Sequence, residues 1–510
     1  MSVWCLGSST VPTGKLFAIG FISTGGGMLF GYDMGIVSGA IDQLQSHFNL
    51  TCTQQEMVVS FLLLGAFLGS LIGGCFIDRF GRKISIIFAS LLFSIGAVIL
   101  AASQTYVALL LGRLVLGFAM ALSAVSECVY VSEVSPANIR GQLVSLNEFG
   151  ITVGILFSYF IGLAFANNTA GWRYMFGLSG IGGILVLVTM LFLPKSPRFL
   201  ILCNKRLEAK KALASLRRYS NISTCTDEFF TIEKNLPPTN SSCISVSQCS
   251  KRLIFPIVVG AGLTVFQQST GEPNILFYAS TILKQLGFEG DTAADLGSIA
   301  LGVSKVVATV FCLLFIDRWG RKKFLLAGCI TIALCVFGIT IIASTSKISG
   351  QNLCISTNVS TLNATEIFSE NQQSKKWISL ILLVLVVAAY SCSFGPVTWV
   401  ILGEIFPTHL RGRLFALVTS LNWATNLVIS STFLEFAKAG NGLAGPFAAS
   451  TVFGLLSLLF VYFVIPETKG RSLEEVQLLM NKGIHTYVKS KCCCCNTQSE
   501  PLLPLVNSDA

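Results

Sequence analysis

Apolar stretches of about 20 residues recur along this chain, each long enough to cross roughly 30 Å of hydrocarbon. They lie near 16–40, 57–77, 84–103, 107–131, 143–165 and 173–193, and again near 253–283, 296–316, 324–345, 377–402, 414–437 and 446–465. Composition agrees with that count. Hydrophobic residues make up 53% of the 510 positions and charged residues 12%. A soluble fold carries about twice that charge, and disorder requires low hydrophobicity, so both are excluded. The 46 glycines suit membrane helices, which use small residues where they pack. The reading is an all-α polytopic membrane protein of twelve transmembrane helices, in two sets of six, with little mass left for a separate catalytic domain. The first span is too long for a cleavable signal peptide and is interrupted by Tyr32 and Asp33.

Orientation follows from the basic residues. With both termini cytoplasmic, the inside segments hold 27 Lys and Arg and the outside segments six; Arg113 and Lys305 fall within spans. The net charge of +10 is then a positive-inside bias, and it gives no reason to invoke nucleic acid.

The two sets share punctuation, the mark of a duplicated unit. Asp78-Arg-Phe-Gly-Arg-Lys83 follows the second span, and Asp317-Arg-Trp-Gly-Arg-Lys322 follows the eighth. Glu133 precedes Arg140-Gly141 as Glu404 precedes Arg411-Gly412, by seven residues each. Pro194-Lys-Ser-Pro-Arg198 closes the sixth span and Pro466-Glu-Thr-Lys-Gly-Arg471 the twelfth. The expected organisation is a six-helix bundle over 1–193, a cytoplasmic linker with short helices over 194–252, a second six-helix bundle over 253–465 and a cytoplasmic tail over 466–510. Parallel six-helix repeats around a central loop are the plan of a secondary transporter.

With Phe30-Gly-Tyr-Asp33, Gln267-Gln268, Gly395-Pro-Val-Thr-Trp399 and Pro466-Glu-Thr-Lys-Gly470, these motifs resemble the sugar porters of the major facilitator superfamily over nearly the whole chain. The resemblance is strongest to the facilitative hexose transporters. The long ninth loop, the short first loop and Glu-Pro-Asn-Ile-Leu-Phe-Tyr at 272–278 resemble the class III branch most. It implies the major facilitator fold and transmembrane transport of a glucose-like hexose by alternating access.

The three histidines, His47, His409 and His485, lack metal-ligand spacing, and no Gly-x-x-x-x-Gly-Lys-Ser/Thr loop is present to cradle ATP. No metal, cofactor or enzymatic constellation is expected, so energy comes from the solute gradient or a coupled ion. In the seventh span Gln267, Gly271, Asn274 and Tyr278 fall on one face of a helix. Amides donate and accept hydrogen bonds at once, which suits the hydroxyls of a neutral sugar. Gly271 and Pro273 weaken that helix. Alternatively these groups only bond neighbouring helices. The resemblance implies that Gln267 and Gln268 bind the sugar, that Asn274 joins them, and that Trp399 offers an aromatic platform with Trp423 beside it. Asn422 and Asn426 lie one turn apart in the eleventh span. Thr398 stands where the family usually has a second proline.

Charges inside spans cost roughly 2.5–3.5 kcal/mol each, so they default to functional or paired. Asp33 and Arg113 resemble the proton-coupling pair of sugar symporters; a static ion pair that braces the first bundle is the other reading. Glu148 stands where many relatives have a binding glutamine, Lys305 where many have an asparagine, and Glu272 adds a carboxylate that can pair with Lys305. These departures leave a polyol, an inositol or dehydroascorbate open as the solute.

At the cytoplasmic ends, Arg82, Glu133, Arg140, Arg321, Glu404, Arg411 and Glu467 form a gate in which opposite charges are expected to pair across the two bundles when the inner gate is closed and to separate when it opens. Sequons at Asn358 and Asn363 in the long ninth loop are the expected glycan sites. Cys52 and Cys354 are the external cysteines, a candidate disulfide. Cys492–Cys495, preceded by Lys489 and Lys491, reads as an S-acylation site or an inert tail. The expected partners are a small sugar and the lipid bilayer, with a proton as candidate coupling ion. Facilitative uniport at the plasma membrane is the reading, with an endomembrane compartment the alternative address. Proton-coupled symport of a sugar or polyol is the alternative mechanism, and a transport-like sugar sensor the alternative of another class.

Overall fold

The computed structural model describes residues 13–135, 140–216, a few positions within 226–233, then 251–288, 291–345, 370–406, 411–439, 442–469 and four positions within 475–480. Regular structure among the described residues is helical throughout. The first half runs α1 (Thr13–Phe48), α2 (Cys52–Phe80), α3 (Arg82–Ala102), α4 (Tyr106–Val134), α5 (Arg140–Phe165) and α6 (Gly171–Phe192). Two short helices follow, α7 (Pro197–Leu202) and α8 (Arg206–Leu216). The second half runs α9 (Lys251–Ser269), α10 (Glu272–Phe277), α11 (Ala279–Gln285), α12 (Asp291–Trp319), α13 (Arg321–Thr345), α14 (Glu370–Cys392), α15 (Phe394–Ile405), α16 (Arg411–Ser430), α17 (Phe433–Ala439) and α18 (Ala444–Val464).

Eleven segments among the described residues are long and apolar enough to cross a membrane. The twelfth expected span is α1, which glycines and polar residues dilute but which runs 36 residues, about 54 Å at 1.5 Å per residue. It outruns the expected 16–40 at its far side because 41–48 keep packing inward, with Ile41 and Leu44 buried. Three spans read as single helices are broken: the seventh into α9, α10 and α11, the tenth into α14 and α15, the eleventh into α16 and α17.

Local chemistry sets the ends. Thr51 caps α2, its backbone N–H donating to Gln54 Oε1 at 2.9 Å while its hydroxyl accepts from the Gln54 N–H. Gly81 and Gly320, the glycines of the repeated motif, hold positive φ at the α2–α3 and α12–α13 turns. The lysine that closes each motif reaches the end of the last span of its half. Lys83 Nζ donates to the carbonyls of Leu191 and Leu193, and Lys322 Nζ to those of Tyr462 and Ile465. A cation at the C-terminus of a helix satisfies orphan carbonyls and complements the dipole.

Packing follows the repeat. In the first half α1 lies on α5 and α6, α2 on α4, and α3 on α4 and α6; in the second α9 lies on α16, α13 on α18 and α14, and α12 on α14. The halves meet along α2–α16 and α5–α12, with α1 touching α10 and α11. Since α2 corresponds to α12 and α5 to α16, the two long seams are one contact made twice. Polar groups turn inward and apolar ones outward: Asp33 and Arg113 are wholly buried, whereas Val98 and Leu334 are each 66% exposed. That is the pattern of a bilayer-facing surface. Leu200, Ile201, Ala209, Leu213 and Phe229 form a small separate core under the linker helices, and Lys15 ties α1 to the Ser215 carbonyl.

Candidate functional site

The break in the seventh span builds the site. Gly271 takes a left-handed conformation with φ +85°, which disfavours any residue with a Cβ, and Pro273 opens α10 without needing an amide partner. The expected face of Gln267, Gly271, Asn274 and Tyr278 is therefore not the face of one continuous helix. It is reassembled across the break, against α16. Gln267 Nε2 donates to the Phe394 carbonyl at 3.0 Å, and Asn422 Nδ2 donates to Gln267 Oε1 at 2.9 Å. Gln268 Nε2 donates to Asn422 Oδ1 at 2.9 Å, so both glutamines meet one asparagine. Two turns further along α16, the Ser430 hydroxyl lies 2.8 Å from Asn274 Oδ1 and 3.0 Å from Asn426 Oδ1. Tyr278 stacks on Phe433 with ring centroids 5.2 Å apart. Gln268 Oε1 is buried with no hydrogen-bond partner among the described residues, an acceptor that calls for a donor.

The tryptophans divide. Trp423 is buried, its ring 5.7 Å from that of Phe30, so it spans the halves. Trp399 is half-buried, 5.7 Å from Phe415 within the second half.

Lys305 and Glu272 form a buried ion pair at 2.6 Å, the pairing expected of them. Glu148 reaches from α5 toward α15, its Oε1 against the backbone of Gly395. Asp33 and Arg113 are neighbours, but not a direct ion pair. The guanidinium donates to the backbone carbonyls of Val58, at 3.0 Å, and of Asp33, at 3.4 Å, and faces the Phe176 ring at 5.6 Å. The Asp33 carboxylate has no hydrogen-bond partner among the described residues; Ser179 lies beside it but donates to the Phe176 carbonyl. A static carboxylate–guanidinium brace is thus corrected: backbone carbonyls hold the arginine.

The gate residues pair locally. Arg82 binds Glu133 at 3.1 Å, and Glu133 accepts from Ser196 as well; Arg321 binds Glu404 at 3.2 Å; Glu467 accepts the backbone N–H groups of Arg321 and Lys322. Every one of these bonds stays within its own half. The motif charges sit at the ends of adjacent helices, where their nearest opposites are local. The side chains of Arg140 and Arg411, and both Asn358 and Asn363, lie outside the described residues, as does the tail cysteine run. Cys52 is disulfide-bonded, its partner lying outside the described residues.

Sequence reasoning missed the bonds that join the halves. Most gather at the end opposite the Gly81 and Gly320 turns, although the Ser70 hydroxyl of α2 also meets that of Ser420 on α16 at 3.1 Å. Glu56 of α2 accepts the backbone N–H groups of Leu434 and Glu435, at 2.5 and 3.0 Å, and so caps α17 of the other half. Lys284 meets Asp42 at 2.7 Å, the Ser280 hydroxyl donates to the Ser38 carbonyl at 2.7 Å, and Thr53 donates to Glu435 at 2.6 Å. Tyr159 donates to the Leu276 carbonyl at 3.0 Å. Glu127 was missed too: it is buried on α4, accepts from Ser123, and presses on α1 at Gly26. Only a carboxylate in an apolar run signalled it.

Among known proteins, the family described as "Sugar (and other) transporter" matches residues 19–480. The chain belongs to the sugar transporter family. Facilitated glucose transporter member 12 of Mus musculus is 37% identical, over 94% of this chain and 86% of its own. Member 10 of Danio rerio is 38% identical, over 91% of this chain and 93% of its own. Among solved structures, the partially occluded inward open xylose transporter of E. coli superposes with a TM-score of 0.73 at 27% identity, over 90% of this chain and all of that one. The proton:xylose symporter bound to 6-bromo-6-deoxy-D-glucose gives 0.73 at 29% identity, over 92% of this chain and 99% of that one. The major facilitator fold and the kinship to facilitative hexose transporters therefore hold for this multi-pass membrane protein.

Proposed function

We propose that the chain carries a glucose-like hexose across the membrane by alternating access, as a facilitative uniporter. One observation carries this: the Gln267–Asn422–Gln268 amide cluster at a broken membrane helix, with Gln268 Oε1 buried and lacking a donor among the described residues. Sugar hydroxyls exchange for these amide bonds, and the flexible restart at Gly271 lets α10 follow the solute. Asn274, Asn426 and Trp399 complete the binding surface. The halves are clasped at the end away from the basic turns, which supports a site open to the basic, cytoplasmic side, as in the inward open neighbour. Resting membrane, glycosylation at Asn358 and Asn363 and cytoplasmic termini belong to the same proposal. Saturable uptake of labelled glucose into proteoliposomes tests it. Gln268→Leu is expected to raise the half-saturating concentration at least about tenfold, the order of one buried hydrogen-bonding group lost to a polar ligand; unchanged uptake would refute the site.

A second reading, proton symport, is favoured by the buried Asp33 carboxylate that lacks a hydrogen bond beside Arg113 and by the symporter's similarity. An imposed pH gradient that drives uphill uptake, lost in Asp33→Asn, is its expected signature; indifference to the gradient removes it.

A further inference from the structure

We infer that Glu148 makes the solute site charge-selective, favouring solutes that bring hydrogen-bond donors or a positive charge and rejecting sugar acids. The inference rests on the hexose-transport reading and narrows it to a class of solute. Three ionisable side chains stand where the halves meet: Glu148 on α5, Glu272 on α10 and Lys305 on α12. Two of them satisfy each other. Lys305 Nζ sits 2.6 Å from Glu272 Oε1 with both side chains buried, and the ammonium also faces the Tyr390 ring at 5.1 Å. That pair belongs wholly to the second half and sums to zero charge.

Glu148 comes from the first half. It is half-buried, and among the described residues no hydrogen bond reaches its carboxylate. Its Oε1 lies beside Gly395, at ordinary contact distance, 3.4 Å, from where a Cβ on that residue would stand. It is within electrostatic reach of both Lys305 and Glu272. With all three groups ionised, the trio carries one net negative charge, on the member without a hydrogen bond to the protein. An ionised carboxylate only accepts hydrogen bonds, whereas an amide in its place would also donate. The solute must then supply donors to Glu148, through hydroxyls or an ammonium group. A carboxylate on the solute would set like charges together in a medium of low dielectric. The Lys305–Glu272 bond is the second determinant, because a lysine released from Glu272 would neutralise Glu148.

The test uses the full chain in proteoliposomes at neutral pH. Inhibition of labelled glucose uptake is compared for 2-deoxyglucose, 2-amino-2-deoxyglucose and glucuronate. The expected order of potency is amino sugar, neutral sugar, acid, with a spread of about tenfold or more between the extremes. Glu148→Gln is expected to compress that spread to less than about threefold, and Glu272→Gln, which frees Lys305, to collapse or reverse it. Glucuronate as potent as the amino sugar in the unmodified chain would overturn the inference, as would a spread that Glu148→Gln leaves intact. If Glu148→Gln fails to fold, the order in the unmodified chain decides alone. Absence of any saturable glucose uptake would instead sink the transport reading. Quenching of intrinsic tryptophan fluorescence by the same three compounds then still reports whether binding follows charge.

Discussion

The two ends of the molecule are built from similar residues and do opposite things. At the basic end, Arg82–Glu133 and Arg321–Glu404 bond within a half, as do Lys83 and Lys322 to the carbonyls of the closing spans. At the far end, Glu56, Asp42, Ser38 and Thr53 of the first half all bond to the second. One end stiffens each half and the other joins them. An alternating-access carrier needs both: bodies that keep their shape, and a clasp between them that can be released.

That contrast can be broken from either side, and the effects should differ in size. The largest is expected from Glu404→Gln. Removing one partner of a mostly buried ion pair costs about 3 kcal/mol or more, so the second half loosens and the turnover rate falls by about tenfold or more. The affinity for labelled glucose, measured by equilibrium exchange, should change far less; equal losses of rate and affinity would count against a stiffening role. Glu56→Gln comes next. It weakens two charge-assisted bonds to backbone N–H groups, by about 1–2 kcal/mol, and should open the far end. A cysteine placed at Ser280 should then react with an impermeant maleimide about tenfold faster, and no change would show that the clasp lies elsewhere. Asp42→Asn should have the smallest effect. Its partner Lys284 is partly exposed, so the pair contributes under about 1 kcal/mol, and labelling at the same reporter should rise by less than about fivefold. If Asp42→Asn outweighed Glu56→Gln, the ranking of the far-end bonds would be reversed.

The sequence exposes these two ends unequally. Spans are legible because bilayer thickness imposes a length and apolarity that no other fold requires, and the stiffening motifs are legible because they occur twice. The clasp occurs once. Glu56 sits near the start of α2 and Asp42 in the last turns of α1, where a charge ordinarily meets water; periodicity tells which face a residue occupies, not which helix lies opposite. The same limit explains the gate. Duplicated spacing located Arg82 and Arg321, but their acids come from the same half because helix ends there are close neighbours. At the site, the residue types were legible while the break at Gly271 was readable only as weakness. The static Asp33–Arg113 ion pair, the other reading of those two charges, gave way to the carbonyls of Val58 and Asp33, which are invisible to side-chain patterns.

Lys83 and Lys322 have one more consequence. Each moors the final helix of its half just where the chain departs, toward the 194–252 linker in one case and toward the tail in the other. Tension or bulk arriving from either segment meets a fixed bollard before it can twist the helices that hold the solute.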